Sequence, residues 1–539
     1  MRPLADKPFL RGITTKLIAV VVGALLFAAS FPNLLFENGL PFLAWIALIP
    51  VFWIVRRSSL LSSIAWGALY GFASYSLYNY WLSGFNPLAG LIVNSIYLTY
   101  FAVLFPAFKA ADILFPRRAY IVQWLLWMAY EYLRTQGFLG YSYGILGYSQ
   151  WNVLPLIQIA SLFGVWAVSA LLVFPSCFMA SALNTGRSSI VPFIKAEKIP
   201  LSLWLIALCA SLVFGFFSPV DYASSPTKRF ALIQNNSDPW RGGIDVYREN
   251  YKILKRLSEE ALAAPPAPDL VVWSETAFVP RIYWHNTYRD DAASYALVKE
   301  LLDFLSLHDT PFVIGNDDGR KEVSENGSYE RVDYNGVLLY ERGIETGIYR
   351  KLHLVPFTEN FPYEKQLPLI YNALVAADTH FWKKGTEAKV FEAAGVKFST
   401  PICFEDTFGY LSRKFVRAGA EVIVNVTNDA WAQSLPSQMQ HATMAVFRAI
   451  ENRRSLVRAT ASGQTCAIDP NGRIFAMAEP FIETQLSVDV PIYTGTSSFY
   501  TRHGDVLAYI FVASALILLV FGILRRLLPA SSIDKSRGA

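Results

Sequence analysis

Three residues in the C-terminal half carry side chains suited to acyl chemistry. They are Glu275, Lys351 and Cys403, in that order, separated by 76 and 52 residues. Cys403 closes the apolar run FSTPIC and is followed by Phe404, Glu405 and Asp406. A cysteine attacks as its thiolate, so it needs a base for its proton or a cation beside its charge. Glu275, in VVWSETA just after an apolar strand, has the chemistry of the base. Lys351, in YRKLHLVPFTEN with Glu359 eight residues on, has the chemistry of the cation. Each residue also has an ordinary structural reading. Taken singly, Glu275 is more often a helix cap or an ion-pair partner and Lys351 a solvated surface charge, while Cys403 is as well suited to a small core filler as to a nucleophile. No zinc-like spacing surrounds His353 or His441, so no metal site and no cofactor are expected. A Cys403–Cys466 disulfide would disable the nucleophile, so Cys466 is expected unpaired in the core; Cys177 and Cys209 are expected to pack within membrane helices.

The segment that must position these residues, 228–490, reads as a layered α/β domain. Strands are predicted at 230–234, 269–273, 312–315, 336–340, 398–403, 421–426 and 455–459, and helices at 246–263, 291–307, 407–418 and 439–453. Short apolar runs alternating with helical patterns have this signature.

The rest of the chain is of another kind. Only 17% of all residues are charged, and residues 1–220 hold most of the long apolar runs. Stretches near bilayer-spanning length fall at 17–33, 40–55, 60–81, 89–108, 119–133, 157–183 and 200–218, with a last one at 506–524. The second and fifth are short. Basic residues in the short loops are lopsided. Arg2, Lys7, Arg11, Lys16, Arg56, Arg57, Lys109, Arg117, Arg118, Arg187, Lys195, Lys198, Arg525, Arg526, Lys535 and Arg537 all fall on one side of an eight-helix arrangement, against Arg134 on the other. Both termini are therefore expected in the cytoplasm and 228–490 outside. The expected division is 1–220 for seven helices, 228–490 for the outer domain, 500–526 for the eighth helix and 527–539 for a cytoplasmic tail. The loop RTQGFLGYSYGILGYSQWNVLPL (134–156) suits either an interfacial anchor or a lipid-substrate contact. A net charge of +5 without a basic stripe gives no sign of nucleic-acid binding.

Taken together, WSETA, YRKLHLVPFTE and ICFED followed by NVTNDAW resemble the nitrilase superfamily. The whole chain resembles its membrane branch, the bacterial apolipoprotein N-acyltransferases, from SFPNLLFENGLPFLAWIALIPVFW through GYSYGILGYSQWNVLPLIQIASLFGVW to TRHGDVLAYI. That resemblance implies about eight membrane helices carrying an external nitrilase-like α-β-β-α sandwich. It also implies a location in the bacterial inner membrane with the catalytic domain on the periplasmic face. The implied reaction moves an acyl chain from a phospholipid to the N-terminal amine of a diacylated apolipoprotein, without a cofactor and with the enzyme as a monomer. Carried over by position, Glu275 matches the base, Lys351 the lysine and Cys403 the nucleophile. Glu359, Phe404, Glu405, Asn335 and Trp240 match residues around the active site, and Asn428 and Trp431 lie in the NDAW motif. Ser274, Phe404, Ala432, Gln433, Ala461 and Ser462 depart from the family pattern, which bears on pocket shape more than on reaction class. Two rival classes share parts of the pattern. A membrane-anchored amidohydrolase would share the triad but need one anchor only. A transporter would place ionisable groups inside its helices, whereas Lys109, Asp112 and Glu131 sit near predicted helix ends.

Overall fold

The computed structural model describes residues 8–85, 87–324, 327–376 and 379–527. The expectations for Arg2, Lys7 and residues 528–539 lie outside them. The N-terminal part is helical: α1 (Pro8–Ala29), α2 (Ile49–Arg56), α3 (Leu60–Tyr78), α4 (Tyr80–Phe85), α5 (Pro87–Leu114), α6 (Ala119–Leu133), α7 (Leu154–Ile157), α8 (Ala160–Phe163), α9 (Val165–Asn184), α10 (Ile190–Ala196) and α11 (Lys198–Phe217). Among the described residues, five stretches are long and apolar enough to cross a membrane: Gly12–Ala29, Leu88–Leu114, Val165–Asn184, Lys198–Phe217 and Val506–Leu527. The expected span at 40–55 is broken into a 3-10 turn, Pro41–Trp45, and α2, each with a proline in its first turn. Proline starts a helix readily but cannot continue one. The expected span at 157–183 is interrupted too, because Gly164 at φ 67° separates α8 from α9. Gly67 and Gly71, one turn apart on α3, let α5 approach closely. A methyl group at Gly67 would stand 2.1 Å from the Phe101 carbonyl oxygen.

Five of the basic residues, Lys16, Arg56, Arg57, Lys109 and Arg118, meet at one end of this bundle. Lys16 Nζ donates to Ser58 Oγ (3.1 Å), Lys109 Nζ to the Arg56 carbonyl (2.9 Å), and Arg118 Nε pairs with Glu197 (3.1 Å). Arg57 bonds to Asn184. Cys177 is buried in α9, but Cys209 is exposed on α11 and is not a packing residue as expected.

The second part contains β1 (Thr227–Gln234), α12 (Ile244–Ala263), β2 (Leu270–Trp273), α13 (Ile282–Tyr288), α14 (Ala292–Ser306), β3 (Phe312–Val323), β4 (Tyr329–Glu341), β5 (Ile344–Arg350), α15 (Pro368–Ala376), β6 (Val390–Ala393), β7 (Val396–Ser399), α16 (Gly409–Arg417), β8 (Val422–Thr427), α17 (Leu435–Asn452), β9 (Ser455–Thr460), β10 (Cys466–Ile468), β11 (Ile474–Met477), β12 (Thr484–Pro491), α18 (Phe499–His503) and α19 (Val506–Leu527). Two six-stranded sheets, β12-β1-β2-β3-β4-β5 and β11-β10-β9-β8-β7-β6, have parallel centres and antiparallel flanks. Their central strands are apolar on both faces. Phe230 and Leu232 of β1 join the core between the sheets, while Ala231 and Ile233 pack with α12 and α14. This is the expected α-β-β-α sandwich. The expected strand 398–403 stops at Ser399, and β5, β6 and β10–β12 go beyond the predicted set. β6 and β10 are short, and β5 (IETGIYR) mixes charge with its apolar residues, so neither kind stands out as an apolar run. Helix α17 lies between the second sheet and the bundle, and every residue from Pro436 to Asn452 is buried.

Candidate active site

Glu275 sits in the turn that follows β2. The turn presses so close to β3 that a methyl group at Gly315 would stand 2.2 Å from the Ser274 carbonyl oxygen. Glu275 is 7% exposed and satisfied on both oxygens. Oε1 accepts from Asn335 Nδ2 (2.8 Å) and Lys351 Nζ (3.3 Å), and Oε2 accepts from the backbone N–H of Asn428 (3.1 Å). Lys351, just past β5, is fully buried and gives a second bond to Glu359 Oε1 at 2.8 Å. Glu359 is fixed in turn by the Val355 N–H on its other oxygen (2.9 Å). Burial works against the Lys351 ammonium, but Glu275 and Glu359 more than offset it and hold its pKa above the usual lysine range.

Cys403 opens the 3-10 turn Cys403–Thr407 at φ 49°. A non-glycine residue in that region costs about 1–3 kcal/mol and persists only where its surroundings impose it. Asn425 Nδ2 holds the carbonyls of Pro401 (3.1 Å) and Cys403 (3.2 Å). Burial, then the nearby Glu275 carboxylate, push the Cys403 thiol up, with Lys351 acting the other way. The resting group is therefore a thiol, with a carboxylate and a cation both near enough to act on its charge.

Glu405, expected around the active site, lies behind the cavity rather than in its wall. Fully buried, it accepts from the backbone N–H groups of Ile402 (2.8 Å), Leu352 (2.6 Å) and His353 (2.9 Å), and from Tyr349 Oη (2.8 Å). It clamps the Lys351 segment to the cysteine turn and does not line the cavity. Burial pushes its pKa up to about 7.

The cavity beside these groups has a volume of about 450 Å³. Glu275, Asn335, Glu359, Cys403, Phe404, Asn428, Trp431 and the 59%-exposed Trp240 line one side of it. Its other side belongs to the bundle: Trp81 and Leu82 of α4, Ala89, Ile92, Val93 and Ile96 of α5, and Leu139, Tyr141 and Tyr143 of the loop after α6. The loop 134–156 thus contributes directly to the cavity. Of the residues that depart from the family pattern, only Phe404 lines it. Sequence reasoning overlooked Trp81 and the α5 stripe, which look like ordinary membrane-helix residues. It also discounted His441, which borders the cavity and was considered only as a metal ligand. Among the described residues no His, Cys, Asp and Glu group has a metal-binding arrangement. Cys403 and Cys466 are both unpaired, and Cys466 is buried in β10.

Residues 229–497 match the carbon-nitrogen hydrolase family, and residues 23–178 match the apolipoprotein N-acyltransferase N-terminal domain. Apolipoprotein N-acyltransferase 1 of Treponema denticola is 46% identical over 535 residues, covering 96% of this chain and 98% of that protein. The protein of the same name from Treponema pallidum is 46% identical over 522 residues, covering 94% and 95%. Apolipoprotein N-acyltransferase of Geobacter metallireducens is 34% identical, covering 95% of each chain. A solved amidase from Nesterenkonia sp. aligns over 53% of this chain and 96% of its own, at 16% identity and a TM-score of 0.35. With full-length relatives at these identities and both of the domains matched, the chain belongs to the apolipoprotein N-acyltransferase family.

Proposed function

We propose that the protein transfers a fatty acyl chain from a phospholipid to the α-amino group of the N-terminal diacylglyceryl-cysteine of apolipoproteins, through a thioester on Cys403. Glu275 takes the thiol proton as sulfur attacks the phospholipid ester carbonyl. Lys351 and nearby N–H donors carry the oxyanion, each donor contributing about 10²–10³ in rate. The C–O bond breaks, the lysophospholipid leaves with the proton from Glu275, and the acyl group remains on sulfur. The lipoprotein amine then attacks, Glu275 accepts its proton, the C–S bond breaks, and the thiol is restored. An amide is more stable than the ester it came from, so no ATP is needed.

The observation that carries this reading is the shared cavity, with Cys403 and Glu275 on one side and apolar residues of α4 and α5 on the other. A fatty chain can lie along the bundle while its carbonyl reaches the thiol. Drawing that chain into water instead would cost about 0.8 kcal/mol per CH₂. A hydrolase of small amides has no use for such a wall, and that reading is not favoured. The meeting of Lys16, Arg56, Arg57, Lys109 and Arg118 at one bundle end supports the topology with both termini in the cytoplasm, eight membrane passages and the catalytic domain on the periplasmic face. The test is mass spectrometry of a lipoprotein N-terminus from cells with and without the enzyme. A third acyl chain that depends on the enzyme is expected; its presence in both samples would overturn the proposal.

A further inference from the structure

Next to the cavity lies a four-residue ionic cluster with no assigned part in the reaction. Asp406, Asp429, His441 and Arg458 are all at most 3% exposed. Asp406 belongs to the cysteine turn. Asp429 directly follows Asn428, whose N–H orients Glu275. His441 comes from α17 and Arg458 from β9. His441 Nε2 is 2.8 Å from Asp406 Oδ1, and its Nδ1 is 2.9 Å from Asp429 Oδ1. Arg458 spans the same two carboxylates, with Nη1 on Asp406 and Nη2 on Asp429 (3.1 Å).

The geometry sets the charge state of the ring. Carboxylates only accept, so both ring nitrogens must donate, which is the imidazolium form. Arg458 Nη2 also lies 3.2 Å from Nδ1. A lone pair on Nδ1 to receive it would face the Asp429 oxygen at 2.9 Å, so the donating form prevails. Burial opposes the charge, but Asp406 and Asp429 raise the ring pKa to about 9. The cluster is then neutral overall: two carboxylates, one guanidinium and one imidazolium.

We infer that His441 is a positioning residue, whose ring bridges Asp406 and Asp429 and so fixes the cysteine turn against the Asn428 segment that orients Glu275. Asp406 is three residues from Cys403, and Asp429 adjoins the N–H that holds Glu275 Oε2. The bridge therefore sets the separation of nucleophile and base. Gly463 leaves room for it, since a methyl group there would stand 2.8 Å from Asp429 Cβ. This inference rests on the reading of Cys403 and Glu275 as the reacting pair.

The test uses the full-length enzyme in detergent with phospholipid and a diacylated lipopeptide. His441→Gln can donate to only one carboxylate and leaves the cluster one negative charge in excess. Its kcat is expected to fall about 10²-fold, the usual effect of a small misplacement of reacting groups. KM for phospholipid should hold, because the apolar wall is untouched, and alkylation of Cys403 by iodoacetamide should slow in step with kcat. Asp406→Asn combined with His441→Gln restores neutrality and is expected to recover about tenfold over His441→Gln, since an uncompensated buried charge is the larger penalty. Asp406→Asn by itself serves if His441→Gln fails to fold. Wild-type kcat in His441→Gln, or a double variant worse than both singles, would overturn the inference. Cys403→Ser run alongside separates the two levels: full activity there removes the functional reading itself.

Discussion

Trp81 Nε1 donates to Gln440 Oε1 at 3.0 Å, joining a wall residue of the bundle to α17, whose His441 borders the same cavity. Gln440 Nε2 in turn donates to the carbonyls of Pro32 (2.9 Å) and Tyr78 (3.3 Å), at the ends of α1 and α3. One buried amide thus fixes the catalytic domain to three helices. Gln440→Leu leaves the indole N–H and two carbonyls unpaired, at about 1–3 kcal/mol each. Acyl transfer from a long-chain phospholipid should fall at least about tenfold, whereas cleavage of a short p-nitrophenyl ester, which does not need the wall, should stay near wild type. Equal loss on both substrates would contradict this role.

Variants of the reacting groups should separate chemistry from folding. Cys403→Ser should abolish turnover, because the hydroxyl lacks an accessible anion. Glu275→Gln and Lys351→Ala should each lower kcat by several orders of magnitude while the protein still inserts in the membrane. Lys351→Ala also leaves Glu275 and Glu359 facing each other without their shared cation, so its thermal midpoint should drop as well. Wild-type turnover in any one of them removes that residue from the mechanism.

An acyl-enzyme should be trapped when the acceptor is withheld. A thiol nucleophile serving two substrates in turn permits the first half-reaction to run by itself. Incubation with phospholipid should add the mass of one fatty acyl chain to Cys403, and neutral hydroxylamine or a diacylated lipopeptide should discharge it. If water clears the adduct as fast as the lipopeptide does, the enzyme is a hydrolase.

Glu405 should make stability depend on pH. Its pKa rises from 4.5 to about 7 on folding, so the folded protein binds the proton more tightly. The contribution is full below about pH 4.5 and is lost as pH rises through about 7. Glu405→Gln should flatten the fall in Tm across that window. It should also lower Tm throughout, because an amide cannot accept from Ile402 and from Leu352 and His353 at once as the carboxylate does.

Topology can be read by maleimide labelling of single cysteines in a variant without the native four. A cysteine at Ser324 should react from outside intact cells, and one at Ser189, in the loop after α9, only after permeabilisation. Reaction of both from the same side would sink the eight-passage arrangement.

Much of this protein was legible from residue order. Apolar runs of bilayer length, lopsided loop charges and the contexts of Glu275, Lys351 and Cys403 are local patterns, and local patterns survive in a linear string. The alternation of strands and helices sufficed for the layered α/β class, because period and turn signals are local too. The rest depends on pairings that no local pattern encodes. Glu405 follows Cys403 by two residues, yet its carboxylate is spent on N–H groups 52 and 53 residues away. His441 looked like an isolated histidine until α17 set it between two aspartates from different turns. Gln440 meets Pro32 across 408 residues, and Trp81, bonded to the same side chain, lines the cavity. A side chain's environment in a folded chain is made mainly by residues remote in sequence. Residue type can therefore announce what chemistry is available, while packing assigns which groups perform it, which hold them in place, and which wall receives the lipid.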